Sequence, residues 1–291
     1  MLSVIIGTAE YSLDDGTLCR LVGYDGFGIP PATRISSRGP LQHGDTDEGF
    51  RLDPRLAKLI FALETTELDV MYERRQTICD LFSPIHDSIL KFDLSYGVRY
   101  LDCHYYDDAS LEWSVKNWAA PRFALTVKAS DPTLYDPERK VEIFGIGASG
   151  AGFTLPMPLP FAVGITALDE LHTIFYPGTW LSYPEIQIYG PITDLLIENT
   201  DTGDKLDFTG ITIIEDDYYI IDTRYGYKTV VDQDGVNKIA DLTEDSDLAT
   251  FAIDYKRPDE SFRENTFRAT GSAINSETRI FFRYYERYIG V

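Results

Sequence analysis

Hydrophobic and polar residues alternate with a period of two along most of this chain, which is the signature of strands with one face buried. Leu90, Phe92 and Leu94 alternate with Lys91 and Asp93. Leu101, Cys103 and Tyr105 alternate with Asp102 and His104, and Phe123, Leu125 and Val127 with Ala124, Thr126 and Lys128. One segment carries helical periodicity, at about 66–82, where Leu68, Met71, Ile78 and Phe82 fall on one face and Asp69, Glu73 and Gln76 away from it. Thr65 and Thr66 are its capping candidates and Ser83-Pro84 its stop.

Regular structure is interrupted between about 129 and 167 by Asp131-Pro132, Asp136-Pro137, a cluster of glycines and three alternating prolines. Beyond it strand signals return every 8 to 12 residues or so. They fall at Ile186 and Ile188, Leu195 and Ile197, Leu206 and Phe208, Ile211 and Ile213, then at 218–221, 228–231, 248–253, 266–269 and 279–285. Such spacing suggests a sandwich or jelly roll. Asn199 to Gly203 marks a hairpin loop and Asp234-Gly235 another reversal. The expected organisation is all-β with one helix: an N-terminal β-barrel or sandwich over 1–140, a Gly/Pro-rich linker over 141–166 and a β-sandwich over 167–291.

Composition narrows the partners. The 291 residues are 44% hydrophobic, enough for real cores. Lys plus Arg number 26 against 47 Asp plus Glu, and the net charge of −21 would repel a phosphate backbone, which excludes nucleic acid. A solvated acidic surface explains that charge more simply than a cation site. Cys19, Cys79 and Cys103 are too few and scattered for a disulfide framework, which fits synthesis in a reducing compartment. The first eleven residues have no basic region and break at Gly7, so no secretory signal is expected. The most apolar stretch, 151–168, holds Gly152, Pro156, Pro158, Pro160 and Gly164, so no membrane insertion is expected either.

The search for chemistry gives decoys. Gly145-Ile146-Gly147-Ala148-Ser149-Gly150 spells GxGxxG, with Asp169 and Glu170 about 20 residues on. Dinucleotide binding requires a helix N-terminus after the glycines, and Phe153-Thr154-Leu155-Pro156-Met157-Pro158 cannot form one. His43, His86, His104 and His172 lie far apart with no paired ligand spacing, and no GxSxG elbow is present. Carboxylate pairs are expected by chance among 47 acids, so no glycosidase dyad is assigned. Asp232 with Asp234, and Glu215 with Asp216 and Asp217, offer hard oxygens, but turn chemistry is the simpler reading of both. No catalytic residue, cofactor or metal is assigned.

One resemblance goes further. Gly23-Tyr24-Asp25-Gly26-Phe27-Gly28-Ile29-Pro30-Pro31, Arg34-Ile35, Arg38-Gly39-Pro40-Leu41-Gln42-His43-Gly44 and Phe50-Arg51-Leu52-Asp53-Pro54-Arg55 resemble the opening of the siphophage distal tail (Dit) family. Tyr183-Pro184-Glu185-Ile186, Tyr189-Gly190-Pro191-Ile192 and the terminal Arg283-Tyr284-Tyr285-Glu286-Arg287-Tyr288 extend it to nearly the whole chain. The resemblance implies a non-enzymatic virion component made in the host cytoplasm. It implies a homohexameric ring formed by the first domain, with an extended hairpin arm reaching a neighbour, and a galectin-like second domain. The implied partners are the tail tube protein on one side and a tail-associated hub, fibre or receptor-binding protein on the other. Phe27, Pro30, Pro31, Arg38, Leu41 and His43 are then the expected interface residues, the alternative being that their loop folds back on its own core.

A sugar-binding adhesion module for the host surface is the other function considered, because such sites combine an exposed aromatic platform with a few polar groups. Of Trp113, Trp118 and Trp180, only Trp180 lies near the second domain, and Tyr284, Tyr285 and Tyr288 are expected in a strand or interface.

Overall fold

The computed structural model describes residues 1–112, 121–145 and 167–291. The protein is all-β with one α-helix and divides into two compact units, Met1–Pro137 with Arg287–Val291, and Glu138–Glu286.

The first unit runs β1 (Leu2–Ile6), β2 (Ala9–Ser12), β3 (Arg20–Asp25), β4 (Ala32–Ser37), β5 (Thr46–Leu52), β6 (Arg55–Ala62), α1 (Leu68–Leu81), β7 (Ser88–Leu94), β8 (Gly97–Glu112), β9 (Arg122–Ala129) and β10 (Leu134–Tyr135). Strand order across its main sheet is β2-β1-β7-β8-β9-β6-β3, all pairs antiparallel. The long β8 belongs to both halves of this sheet: Gly97 to Cys103 pair with β7, and His104 to Glu112 pair with β9. The alternation legible in the sequence is what buries Leu90 and Phe92, Leu101 and Cys103, and Phe123, Leu125 and Val127 in one cluster with Leu59 and Phe61 of β6.

Helix α1 packs Met71, Ile78 and Leu81 into the same cluster, as its 3.6-residue period requires. Two details differ from expectation. Leu68, as the first helical residue, remains 43% exposed. The N-cap is Glu67 without a side-chain cap bond, and the Thr65 hydroxyl accepts the Glu67 N–H at 3.1 Å in a turn just outside the helix.

The second unit holds β11 (Lys140–Gly145), β12 (Ala167–Tyr176), β13 (Glu185–Tyr189), β14 (Ile192–Asn199), β15 (Lys205–Ile213), β16 (Tyr218–Asp222), β17 (Thr229–Asp232), β18 (Arg263–Ser272) and β19 (Arg279–Tyr284). They form two sheets, β11-β19-β13-β16-β17 and β12-β18-β14-β15. Both contribute to one cluster that includes Phe144, Tyr176, Ile186, Ile188, Ile197, Phe208, Phe267 and Phe282, as expected of a sandwich. The last strand, β20 (Arg287–Tyr288), pairs with β10 and so belongs to the first unit.

Four expectations about organisation change. The stretch 141–166 was expected to be linker, but its first five residues lie in β11, where Val141 to Gly145 pair with Arg283 to Arg279 of β19. The first division falls at Pro137–Glu138, and residues 287–291 leave the second unit altogether. Residues 248–253 are not a strand. Phe251, Ala252 and Ile253 are buried consecutively, and their backbone is tied by mutual Ser182–Ile253 bonds and by the Asn199 amide donating to Ala252 O. Finally, Leu206 to Ile213 is one strand, with Gly210 at φ +87 where two were expected to meet.

Candidate functional site

The site question begins at a turn. Gly26, at φ +89, ends β3 against β6 so closely that an added Cβ would lie 2.2 Å from Leu56 O; only glycine fits. That approach drives the next side chain inward. Phe27 is 3% exposed and meets Phe92 edge-on at 4.9 Å between centroids. Pro30 is buried as well. Both were expected at an interface, and both instead belong to their own unit's interior. The loop thus folds back at its start.

The root of the loop is fixed by Arg55. This side chain is fully buried and donates from Nε to Pro132 O (2.9 Å), from Nη1 to Gly26 O (2.8 Å) and Gly28 O (2.7 Å), and from Nη2 to Ile289 O (2.8 Å). All four acceptors are backbone carbonyls, and burial draws the guanidinium pKa below its ordinary value. Nearby, Arg99 stacks on the Tyr288 ring at 3.6 Å and Arg287 pairs with Asp131, so residues 287–291 are held on the first unit by charge and backbone together.

Beyond Pro30 the chain leaves the core. β4 and β5 form a separate two-stranded sheet that pairs with no other strand among the described residues. A seven-residue strand reaches roughly 20 Å. All six residues of β4 are exposed, as are Pro31 at the root and Arg38, Leu41 and His43 at the tip. Leu41 is 95% exposed, Phe50 49% and Ile35 46%. The Arg34 guanidinium lies over the Phe50 ring at 5.4 Å; single exposed apolar residues are ordinary, and Leu41 and Ile35 on a ribbon that pairs with no other strand among the described residues make a candidate contact surface. Arg34–Asp47 (3.0 Å), Arg38–Asp45 (3.4 Å) and Arg51–Asp53 (3.5 Å) brace it. Pairs this exposed contribute little to stability and chiefly fix register and partner choice. Of the six expected interface residues the structure therefore gathers Arg38, Leu41 and His43 at the tip and Pro31 at the base. Ile35 and Phe50, not singled out in the sequence, complete the ribbon.

The decoys resolve locally. Asp232 Oδ1 accepts the N–H groups of Asp234 (3.0 Å) and Val236 (2.9 Å), and Asp217 Oδ1 that of Tyr218 (2.7 Å), so these carboxylates build turns. His172 bonds Glu142 at 3.0 Å between β12 and β11. Burial raises the Cys19 and Cys103 thiols to about 12, so neither is a nucleophile near neutral pH. Apart from Gly145, the GxGxxG string lies outside the described residues, as do Trp113, Trp118 and 146–166. Trp180 stacks with Tyr255 at 6.3 Å, and Tyr284 is buried in the sandwich core. An open depression of about 570 Å³ on the β12–β18 face is lined by Asp169, Leu171, Thr200, Thr266 and Arg268. It contains a two-pronged Arg268–Asp169 pair and no aromatic ring. No helix among the described residues is long and apolar enough to cross a membrane.

These features define a class: an all-β protein of two units, one bearing a hairpin arm that pairs with no other strand among the described residues. No protein-family profile and no curated protein matches the chain. Among solved structures, its fold is similar to that of the SPP1 Dit protein, a paradigm of the hub adsorption apparatus of phages infecting Gram-positive bacteria. The similarity covers 99% of both chains with a TM-score of 0.64 at 11% identity. A protein of the phage P2 baseplate in its activated conformation with Ca covers 100% of both chains at 12% identity, with a TM-score of 0.47 too low to support argument.

Proposed function

We propose that this chain is a structural subunit of a phage tail tip, a Dit-type hub protein with no enzymatic role, whose first unit assembles into a homohexameric ring. The observation that carries this reading is the exposed arm, 32–52, on a fold shared end to end with the SPP1 Dit protein. A ribbon that pairs with no other strand among the described residues, with Leu41 95% exposed at its tip, is accounted for if a neighbouring copy covers it. Among the described residues the main sheet also ends in edge strands, β2 and β3, whose outer hydrogen-bonding groups call for a partner or a cap. Head-to-tail contact of arm and neighbour closes into a ring under cyclic symmetry. The galectin-like reading of the second unit, and docking of the tail tube protein and of hub, fibre or receptor-binding proteins on the ring, complete the proposal and place the protein in the virion.

The test is mass in solution by light scattering across a concentration series. The expected species is six times 32.9 kDa, about 197 kDa. Replacing 32–52 by a two-residue turn should give a folded monomer. A strict monomer for the intact chain at every concentration, or intact rings without the arm, would overturn the assignment.

A further inference from the structure

The second unit carries an aromatic and cationic cluster apart from the arm. It lies on the turn between β16 and β17, Thr223-Arg224-Tyr225-Gly226-Tyr227-Lys228. The turn is tied at both ends. Thr223 donates from N (3.3 Å) and Oγ1 (2.7 Å) to Pro184 O, and the N–H groups of Tyr227 and Lys228 both donate to Arg224 O at 3.2 Å. Arg224 grips Asp222 with Nε (2.9 Å to Oδ1) and Nη2 (2.6 Å to Oδ2). Burial works against the Asp222 charge, but these bonds outweigh it and hold the carboxyl below its usual range.

On this mount Tyr225 is 71% exposed and Tyr227 61%. A cation sits over one face of each ring. The Arg224 guanidinium lies 4.6 Å from the Tyr227 centroid, and the Lys228 ammonium lies 4.9 Å from Tyr225 and 4.8 Å from Tyr183. Lys228 adopts φ +44, the left-handed region that a long side chain rarely occupies, and its ammonium donates to Ala249 O at 3.0 Å. No carboxylate lies within ion-pair distance of it among the described residues. Strained backbone persists where the surroundings impose it, and such positions concentrate at ligand sites.

The chemistry offered is therefore the open face of each exposed tyrosine ring, opposite its cation, with Arg224 Nη1 and the ammonium as donors and no free acceptor carboxylate among the described residues. A ligand must bring an anion and an apolar face. Two tyrosines can bury at most roughly 300–500 Å², below the ~800 Å² per partner of a stable protein interface, and the neighbours Gly226, Thr229, Ala249 and Thr250 add little apolar surface. That area suits a few sugar rings. The net charge of −21 does not forbid an anion, because fields decay over about 8 Å at physiological salt and the charges that act on one another here, Arg224, Lys228 and Arg139 against Asp222 and Glu185, sum to +1.

We propose that Tyr225, Tyr227, Arg224 and Lys228 form a binding subsite for a carboxylate-bearing saccharide, with sugar rings stacked on the tyrosines and the carboxylate between the two cations. The test uses the full chain against an array of acidic and neutral oligosaccharides, with polygalacturonate and its methyl ester as a matched pair and polyglutamate as a non-sugar polyanion. Polygalacturonate should bind, more weakly as salt rises. Tyr225→Ser, Tyr227→Ser and Lys228→Gln should each lose about tenfold or more, equivalent to about 1.4 kcal/mol, with the melting temperature of each variant checked against wild type. An array blank for acidic sugars would overturn the proposal. So would equal binding of the methyl ester or of polyglutamate, or binding that survives these substitutions but is lost in Arg268→Ala on the β12–β18 face. Ring mass reports separately on the first unit and is the same under either result.

Discussion

Arg55 offers the sharpest test of how the first unit is held together. Its guanidinium is fully buried and spends every bond on carbonyls from three separate segments: Gly26 and Gly28 at the arm's root, Pro132 after β9, and Ile289 after β20. Replacing it with methionine, an uncharged linear side chain two bonds shorter, relieves the cost of burying a charge but leaves those carbonyls without donors. A hydrogen bond to a charged group is worth roughly 1.5–3 kcal/mol and an unsatisfied buried acceptor costs about 1–3 kcal/mol. Part of this is recovered where water reaches the exposed Gly28. A net loss of about 3–5 kcal/mol is expected, the range for removing one member of a buried ionic network and a large share of a domain's 5–15 kcal/mol. Arg55→Lys keeps the charge but presents three donors from one nitrogen, which cannot span acceptors arranged for a planar fork, so it should lose nearly as much. Urea unfolding followed by peptide-resolved hydrogen exchange is the assay. The transition of the first unit should move to lower urea, with early exchange at 26–31 and 287–291, while the second unit is unchanged. A loss under about 1 kcal/mol in Arg55→Met, or an equal loss in both units, would refute the reasoning.

Phe27→Ala should cost the first unit about 3–5 kcal/mol, because it empties a buried aromatic site beside Phe92. Leu41→Asp, at a residue 95% exposed, should leave urea stability within about 0.5 kcal/mol yet reduce the hexamer seen by light scattering. Titration of the native protein with an aromatic disulfide at pH 8 should release one fast equivalent from the exposed Cys79, with Cys19 and Cys103 reacting only in denaturant. Asp222 is held below its usual range in the fold, so the unfolded chain binds its proton first. The stability this contributes is present above the ordinary aspartate value of about 3.9 and is lost as pH falls through the lower folded value. The urea midpoint of the second unit should therefore fall less steeply below pH 4 in Asp222→Asn than in wild type.

What the sequence made legible was whatever depends on local periodicity. The strands β7, β8 and β9 show their buried faces directly, and α1 shows its apolar stripe to within two residues. β12 was not legible because Leu171 and Phe175 place apolar side chains on its outer face, 63% and 56% exposed, between the buried Leu168, Ile174 and Tyr176; that breaks the period of two. The 248–253 segment failed in the opposite way. Its apolar run reads as a strand, yet Asn199 and Asn265 supply side-chain partners to Ala252 O and to the Asp254 N–H and carbonyl, so this backbone is satisfied largely outside any sheet.

The arm shows why composition alone cannot separate an interface from a core. Phe27 and Leu41 stand in one glycine- and proline-rich stretch, and by residue type both are candidates for burial in a neighbour. Their fates diverge through contacts far off in sequence. The close approach of Gly26 to Leu56 O turns Phe27 onto Phe92, and Arg55 clamps the carbonyls on either side of it. Past Pro30, among the described residues, the next hydrogen bonds are from Thr33 to Asp53 and from the Asp53 N–H to Pro31 O, both of which only close the ribbon on itself. The clamp thus divides the stretch into a root that stabilises the first unit and a ribbon that contributes little to it. Substitutions on the two sides of Pro30 should accordingly separate: before it they change the unfolding midpoint, and beyond it they change assembly alone.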